Sequence, residues 1–374
     1  MKRLTMSKII SFNGKRETLK DLWLYIKSSF KVLSSGNFIL GKYLEEFEKN
    51  FSNYLSDKKI YSVGVNSCTD ALYLSLKLYG IGKGDEVITQ SNTAIPTANA
   101  IAMSGATPMF VDVDSNYQIN IDEIEKNINE NTKAVIVVNL FGDCTDLQSL
   151  RILCKKYNIK LIEDCAQSFG GSYRGKKFGT YGDVSCFSFY PTKILGGIGD
   201  GGMVVCKKKD EYERLKRMRF HGIDKSLGYY TKENSYNTMN SRLDEIHACI
   251  LNEKLKKIDT KIQKRKKIAE YYQNNIKLKN LILPSHKDGS VYYNFVVRYK
   301  NRKKIIEYLR DNNIFVNINY PFPIHKMEGY RKSKKTNLKN TELFSKQVFN
   351  LPIFPTLKKS EMKRIVKILN QYED

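Results

Sequence analysis

Residues 188–202 read SFYPTKILGGIGDGG, and they place one charged side chain, Lys193, between an aromatic approach and a run of glycines. Three of these glycines formally match the GxGxxG fingerprint of dinucleotide-binding folds. That fingerprint requires a strand before it and a helix after it. Here the next stretch, MVVC (203–206), has the pattern of a strand. We therefore interpret the glycines as positions where the backbone passes close to Lys193 and to whatever Lys193 holds.

Around this stretch, from about residue 60 to 206, short apolar runs alternate with amphipathic segments of helical length, such as 69–80 and 146–157. The predicted strands are EVIT (86–89), PMFVDV (108–113), AVIVVNL (134–140), KLIED (160–164), VSCFSF (184–189) and MVVC (203–206). Near-continuous apolar strands that alternate with helices are typical of a mostly parallel sheet covered on both faces. The predicted fold class is therefore α/β.

A second region follows this sheet. Residues 241–275 contain neither proline nor glycine, which predicts one long helix leading out of the first region. The remainder predicts a compact α+β unit that ends in a helix from about residue 360. We expect a large domain over residues 1–255, with its N-terminal segment packing on the small domain, and a small C-terminal domain over residues 256–374.

Composition limits the class of protein. The chain has 374 residues, of which 41% are hydrophobic, as expected of a folded enzyme. It has no apolar run of about 18 residues that would span a membrane, and no signal peptide is recognisable. The seven cysteines are scattered and form no CxxC pair, so we expect reduced thiols and a cytoplasmic location. The four histidines are scattered too, which argues against a metal centre.

The formal net charge of +24 leaves two interpretations open. Such a charge attracts anions, including nucleic acid or a phosphorylated substrate. Alternatively, the lysines lie on solvated faces, and the densest cluster (253–267) also carries apolar residues at helical spacing. The chain contains no zinc-finger or aromatic RNA-binding motif, which favours the second interpretation over nucleic-acid binding.

Partners for Lys193 are expected at the ends of the predicted strands, where open α/β sheets bind ligands. In NSCTDALYL (66–74), small polar residues open a helix, and the free amides of Cys68, Thr69 and Asp70 suit a phosphate as well as an ordinary helix cap. The apolar strand in LIEDCAQSFG (161–170) ends with Glu163 and Asp164, and Gln167 follows. A carboxylate at such a strand end can bind a metal ion or pair with a cation. A lysine, a carboxylate and a phosphate cradle together suit pyridoxal phosphate.

These pieces, in this order, resemble the sugar aminotransferases of the DegT/DnrJ/EryC1/StrS family, which have the aspartate aminotransferase fold (fold type I). The resemblance runs from about residue 36 to the C-terminus. The segments that carry it include NFILGKYLEEFEKNFSNY, VGVNSCTDAL, GATPMFVDVD, LFGDCTDLQSL, IEDCAQSFG, SFYPTKILGGIGDGG, NSRLDEIHA and LPIFPTLKKSE.

The resemblance implies a role for each cofactor-binding residue. Lys193 would hold pyridoxal 5'-phosphate covalently and, once released, carry the proton between substrate and cofactor. Asp164 would pair with the pyridine nitrogen, and Gln167 would bond to the phenolic oxygen of the ring. The phosphate would be held by the amides of residues 68–70 and by Ser188.

Other residues would complete the site. Asn240, at the head of NSRLDE, would reach the phosphate from the neighbouring subunit, which implies a homodimer. Tyr190, Tyr320 and His325 would lie on the sugar-nucleotide side. The chain departs from the family at Ala94, where many relatives have an aromatic residue that stacks on the ring, and again in IHKMEGY after the histidine.

The expected reaction moves an amino group from L-glutamate to a keto group of a nucleotide-linked deoxysugar, which we expect to be dTDP-linked. NSRLDE resembles members that act on C3, with C4 amination as the alternative. The product would feed a surface polysaccharide, such as lipopolysaccharide, or a glycosylated metabolite. Sugar dehydratases of the same fold have histidine in place of the lysine, so Lys193 argues against them. A basic nucleic-acid-binding protein with a vestigial site is the alternative from another class.

Overall fold

The computed structural model describes residue 10 and residues 14–223, 237–285 and 288–373 of the chain. Within these residues an eight-stranded sheet is covered by helices on both faces, and a smaller α+β unit follows it.

The strands are β1 Tyr61–Val65, β2 Glu86–Gln90, β3 Thr107–Val111, β4 Thr132–Val138, β5 Lys160–Asp164, β6 Ser172–Tyr173, β7 Lys176–Lys177, β8 Val184–Ser188, β9 Gly202–Cys206, β10 Phe295–Arg298, β11 Lys334–Lys335 and β12 Val348–Leu351. The helices are α1 Gly14–Leu33, α2 Lys42–Leu55, α3 Cys68–Leu78, α4 Ile95–Ser104, α5 Ile121–Asn127, α6 Leu147–Lys156, α7 Lys209–Met218, α8 Glu245–Leu255, α9 Ile258–Asn275, α10 Arg302–Asp311, α11 Lys339–Gln347 and α12 Lys359–Asn370.

The large sheet has the order β1-β9-β8-β5-β4-β2-β3-β11. Strand β9 runs antiparallel to both of its neighbours, and all the other pairs are parallel. The mostly parallel sheet that the sequence predicts is therefore confirmed. The strand after the glycines is confirmed as well, since β9 begins at Gly202 and no helix follows the GxGxxG spacing.

Apolar side chains from both faces of the sheet form two large clusters. One cluster packs α2, α6 and α8 against the sheet, and the other packs α3 against its opposite face. The smaller unit has its own cluster, which joins α9, α10, α12, β10 and β12 and includes Ile10. The domain boundary at residue 256 stays a prediction.

The prediction of one unbroken helix over 241–275 is wrong. Residues 241–244 are not helical, and the helix is interrupted after Leu255, so that α8 and α9 are separate. Leu251 of α8 and also Ile258 and Ile262 at the start of α9 lie in a cluster of the large sheet, whereas Ile268 and Tyr272 further along α9 lie in the small unit. Helix propensity alone reveals neither the interruption at residues 256–257 nor the change of core within α9.

Two strands of the large sheet lie outside the predicted set. Strand β1 carries a glycine in a five-residue run, which weakens the strand pattern. Strand β11 has only two residues, both of them exposed lysines, and it pairs with β3 at the sheet edge. A two-residue polar strand has no periodicity to detect.

Helix α1 connects the two units through polar side chains. Arg16 forms an ion pair with Glu361 of α12 at 3.0 Å, and Asp21 forms one with Lys261 of α9 at 2.9 Å. Both ion pairs place α1 against the small unit, while Tyr25 of α1 contacts Lys254 of α8 on the large sheet's side.

Candidate active site

The C-terminal ends of β1, β5 and β8 lie at one edge of the sheet, because these three strands run in the same direction. The chain leaves each strand into a loop or helix that carries predicted site residues. Cys68 follows β1, Asp164 is the last residue of β5, and Ser188 is the last residue of β8. The register of the sheet therefore brings together residues that are more than 100 positions apart.

Lys193 lies in a tight turn after β8 and is half-buried. Its backbone amide donates to the carbonyl of Tyr190 at 2.9 Å, which closes the turn. The Nζ atom lies 5.0 Å from the centre of the Tyr293 ring. That distance allows a cation–π contact, which holds the amine over the site without neutralising it.

Asp164 is buried, with 4% of its surface exposed. Its Oδ2 accepts a hydrogen bond from the Thr97 hydroxyl at 2.8 Å, and its Oδ1 accepts one from the amide of Ala166 at 3.1 Å. Burial raises the pKa of this carboxyl, while the two hydrogen bonds and the nearby charge of Lys193 oppose that increase. No basic side chain in the described part of the chain forms an ion pair with Asp164, so this carboxylate fits a cationic pyridinium N–H.

Gln167 lies in the turn that follows β5. Its Oε1 accepts from the amide of Phe141 at 2.9 Å, and its Nε2 donates to the hydroxyl of Tyr320 at 2.6 Å. Because an amide nitrogen carries two hydrogens, one donor remains for a ring oxygen. Gln167, which follows β5, thereby links this strand end to the segment around Tyr320 through a hydrogen bond.

The start of α3 forms the predicted phosphate cradle. The Ser67 hydroxyl caps the helix by accepting from the amide of Asp70 at 3.1 Å, so that amide is already engaged. The amides of Cys68 and Thr69, in the first turn, have no acceptor within the helix. A Cβ on Gly202 would lie 2.7 Å from the nitrogen of Cys68, so only glycine lets β9 approach this cradle. The arrangement fits a phosphate group.

Asn240 lies at the surface of the chain, outside this cluster. Its neighbour Ser241 is fully buried, accepts from the amide of Asn66 at 3.0 Å and donates to Asp70 at 2.7 Å. The segment is thus anchored beside the cradle of its own chain and leaves the Asn240 side chain exposed.

The predicted sugar-side residues have different surroundings. Tyr190 is 51% exposed, whereas Tyr320 stacks on Phe141 with ring centres 6.0 Å apart. His325 is buried, and both of its ring nitrogens have partners: Nδ1 lies 2.8 Å from the Ser91 hydroxyl and Nε2 lies 3.2 Å from Glu342. The structure brings Tyr320 to Gln167, one of the predicted cofactor-binding residues, and fixes His325 within its own chain.

Sequence reasoning missed Thr97, Tyr293 and Ser91. Thr97 had a detectable signal, since a hydroxyl in the first turn of a helix after a strand faces the same sheet edge. Tyr293 and Ser91 had none, because only tertiary packing brings them to Lys193 and His325. Ala94, the N-cap residue of α4, offers no side-chain cap and no ring. The described residues contain no group of three or more potential metal ligands, and no described helix is long and apolar enough to cross a bilayer.

The model of the DegT/DnrJ/EryC1/StrS aminotransferase family matches residues 25–370. A dTDP-3-amino-3,6-dideoxy-alpha-D-galactopyranose transaminase from Aneurinibacillus thermoaerophilus is 42% identical over 91% of this chain and 93% of its own length. A dTDP-3-amino-3,4,6-trideoxy-alpha-D-glucose transaminase from Micromonospora megalomicea subsp. nigra is 39% identical over 91% and 92%. The crystal structure of S. venezuelae DesV in complex with a ketimine intermediate superposes with a TM-score of 0.91 at 33% identity, over 98% of this chain and all of that one.

Proposed function

Because the chain belongs to the DegT/DnrJ/EryC1/StrS aminotransferase family and is a pyridoxal phosphate-dependent aminotransferase of fold type I, we propose that it aminates C3 of a dTDP-linked 3-keto-6-deoxyhexose. The proposed amino donor is L-glutamate. The observation that carries this proposal is that two relatives, matched over nine-tenths of the chain, are both named as transaminases of dTDP-3-amino sugars. The NSRLDE segment supports the same position.

The proposed chemistry divides between three side chains. The cofactor, when bound, supplies an electron sink for the carbon that loses its proton. Lys193 attaches the cofactor and afterwards moves the proton with its free amine. Asp164 keeps the proton on the ring nitrogen, and Gln167 orients the ring through its remaining N–H donor.

Phosphate and sugar are held by other groups in this proposal. The amides of Cys68 and Thr69 and the hydroxyl of Ser188 bind the cofactor phosphate. Tyr190, which is half exposed, and Tyr320 face the sugar nucleotide. His325 is held between Ser91 and Glu342. In this proposal it contributes to the sugar side by fixing the position of the chain around Tyr320.

We further propose a homodimer in which Asn240 of each chain completes the phosphate site of the other. Its exposed position, beside a buried and anchored Ser241, suits a residue that acts on a partner. Helix α1 supplies a second reason. Its exposed apolar residues follow the spacing of a coiled-coil seam: Leu19, Trp23, Ile26, Phe30 and Leu33. A second copy of the chain would cover this seam.

Trp23 provides a direct test of the dimer, because it is the only tryptophan of the chain and is 74% exposed in the single chain. On the proposal, its fluorescence is blue-shifted at high protein concentration and shifts to the red on dilution, together with sedimentation as a dimer. Trp23→Asp should sediment as a monomer and lose cofactor affinity. A wild-type protein that sediments as a monomer in its active form would overturn the homodimer.

The substrate is tested by incubating purified enzyme and L-glutamate with dTDP-3-keto- and dTDP-4-keto-6-deoxyhexoses and their UDP counterparts. The readout is product mass together with the position of the amine by NMR. Amination of the dTDP-3-keto sugar supports the proposal. Amination at C4 overturns the position, and preference for UDP overturns the nucleotide. If neither sugar class reacts while L-glutamate still converts the bound cofactor, the sugar substrate is wrong and the donor stands.

A further inference from the structure

Lys254 of α8 is a buried lysine behind the loop that carries Lys193, with 7% of its surface exposed. Its Nζ donates a hydrogen bond to the backbone carbonyl of Gly196. The same Nζ lies 3.3 Å from the hydroxyl of Tyr25 on α1. One ammonium group therefore joins three separate parts of the chain.

The carbonyl that Lys254 holds belongs to a tightly folded turn. Within this turn the amide of Lys193 bonds to Tyr190 at 2.9 Å, and the amide of Gly197 bonds to Phe189 at 2.7 Å. A side chain at Gly196 would collide with the backbone of the preceding residues of the turn, including the carbonyl of Tyr190. The loop is thus folded back on itself, and its Gly196 carbonyl points towards α8.

A cavity of about 110 Å³ separates this loop from α1 and α9, and its lining includes Lys193, Gly196, Lys254, Lys261 and Tyr25. Lys261 forms an ion pair with Asp21 at 2.9 Å. No ion pair to Lys254 is present among the described residues. Arg265 also lines the cavity, but it donates to the carbonyls of Tyr292, Tyr293 and Ile353, whereas Lys254 bonds to the loop itself.

The pKa of Lys254 is lowered to about 8, first by burial and then by the neighbouring charge of Lys261, while Asp21 and Glu17 oppose the decrease. Burying an amine without a carboxylate is unfavourable, and an apolar residue of the same length would avoid that cost. The Lys254 amine lies where one of its N–H groups reaches the Gly196 carbonyl in the Lys193 loop. Its position is thus explained by the hydrogen bond to Gly196.

We propose that Lys254 is a positioning residue: through the Gly196 carbonyl it fixes the turn that aims the Lys193 amine at the reacting carbon. Tyr25 supports Lys254 from α1. The inference deepens the proposed function, since it rests on the assignment of Lys193 as the proton-carrying amine. A small displacement of a reacting group lowers a rate strongly while leaving ground-state binding nearly intact.

The test compares Lys254→Met with wild type by hydrogen exchange of the cofactor-free protein and by steady-state kinetics of the holoenzyme. Peptides covering 189–198 should exchange at least ~10-fold faster, with the rest of the chain unchanged. The kcat should fall by about 10-fold or more, while KM for L-glutamate stays within about twofold. The pH dependence of the visible absorbance of the lysine-bound cofactor should also shift. Lys254→Arg, which keeps a donor beside the cavity, should restore part of the kcat.

Two further variants, Lys261→Met and Tyr25→Phe, distinguish an effect of Lys254 on the loop from a general loss of stability. Lys261→Met removes a second lysine that lines the cavity outside the Lys193 loop and should leave the exchange of 189–198 unchanged. Tyr25→Phe should change exchange and kcat in the same direction as Lys254→Met but less, and it decides the question if Lys254→Met does not fold. Wild-type exchange in 189–198, or faster exchange spread over the whole chain, overturns the proposal. If the loop loosens as expected but Lys193→Ala still binds cofactor covalently, the assignment of Lys193 is wrong and the role of Lys254 in fixing the loop stands.

Discussion

Two regions build the candidate site by different routes. The strand-end cluster, formed by residues 67–70, Asp164, Ser188 and Lys193, is positioned by the register of one sheet. The return segment, residues 320–342, comes from the small domain and crosses to the large sheet. It is held there by Tyr320 on Gln167, by His325 on Ser91 and by the short strand β11.

The difference concerns how a residue obtains its position. Residues at strand ends share an edge because backbone hydrogen bonds align the strands, whatever their side chains are. The return segment has little regular structure, and it is held by specific side-chain bonds and by an apolar cluster that packs Ile324, Tyr330 and Leu338 on Ala98 and Phe110. We therefore expect substitutions in the cluster to remove chemistry, and substitutions in the return segment to weaken stability and substrate binding.

The largest effect is expected for Lys193→Ala, because no other amine of the strand-end cluster can attach the cofactor. Turnover should fall to background, and the visible absorbance of the bound cofactor should be lost, while circular dichroism stays that of wild type. Lys83→Ala is the matched control, since Lys83 is exposed at the opposite edge of the sheet. Retained turnover in Lys193→Ala would contradict the assignment of the whole cluster.

A smaller but still large effect is expected for Asp164→Asn. Loss of the carboxylate removes the charge that keeps the ring nitrogen protonated, so both half-reactions should slow by at least ~10²-fold. Single-turnover rates with L-glutamate alone measure this directly. Thr97→Val removes one hydrogen bond to the same carboxylate and should slow the reaction by only a fraction of that factor. Unchanged single-turnover rates in Asp164→Asn would show that Asp164 has another role.

Substitution of Asn240 tests whether one chain alone supplies all the residues that bind the cofactor phosphate. On the shared-site proposal, Asn240→Ala weakens cofactor affinity, and mixing it with Lys193→Ala restores one intact site in each mixed dimer. Random mixing in equal amounts should therefore restore about a quarter of all sites. Equilibrium dialysis with the cofactor measures the recovery. Cofactor affinity in Asn240→Ala equal to wild type would show that each chain builds its own cradle.

The smallest effect is expected in the return segment and concerns pH. Burial lowers the pKa of His325 below 6.5, despite the opposing bond to Glu342, and Lys326 and Lys335 add to the decrease. Below pH 6.5 the unfolded chain therefore binds this proton more readily than the folded chain does. The stabilising contribution is complete above pH 6.5 and is lost as the pH falls through the lowered pKa.

His325→Asn should remove this part of the pH dependence. We expect the drop in Tm between pH 7.5 and pH 5.5 to be smaller in the variant, by about 1 kcal/mol or less in the free energy of unfolding. Thermal melts of both proteins at the two pH values provide the measurement. An identical drop in wild type and variant would contradict a lowered pKa of His325.

Much of the strand-end cluster could be predicted because its information is local. Asp164 ends an apolar run, Ser67 precedes an amphipathic helix, and Lys193 follows another strand. The pairing of parallel strands then brings these strand ends together, and no specific side-chain contact is needed for it. The cytoplasmic location, the domain boundary and the individual roles of the site residues remain predictions.

The return segment could not be predicted in the same way. Its contacts join positions such as Ser91 and His325, which are 234 residues apart, and neither residue lies in a periodic pattern. The break between α8 and α9 was hidden for a similar reason. Lys256 and Lys257 are acceptable helix residues, so no local pattern marks the interruption between the two helices.

By itself, the sequence determined the α/β class, the parallel strands and the strand-end residues, because each depends on the hydrophobic period and chemistry of neighbouring residues. Only the tertiary structure decided that Thr97 bonds to Asp164, that Tyr293 lies beside Lys193 and that Lys254 reaches the Gly196 carbonyl. These are side-chain contacts between elements far apart in the chain. Such contacts follow from how whole elements pack, which no local pattern contains.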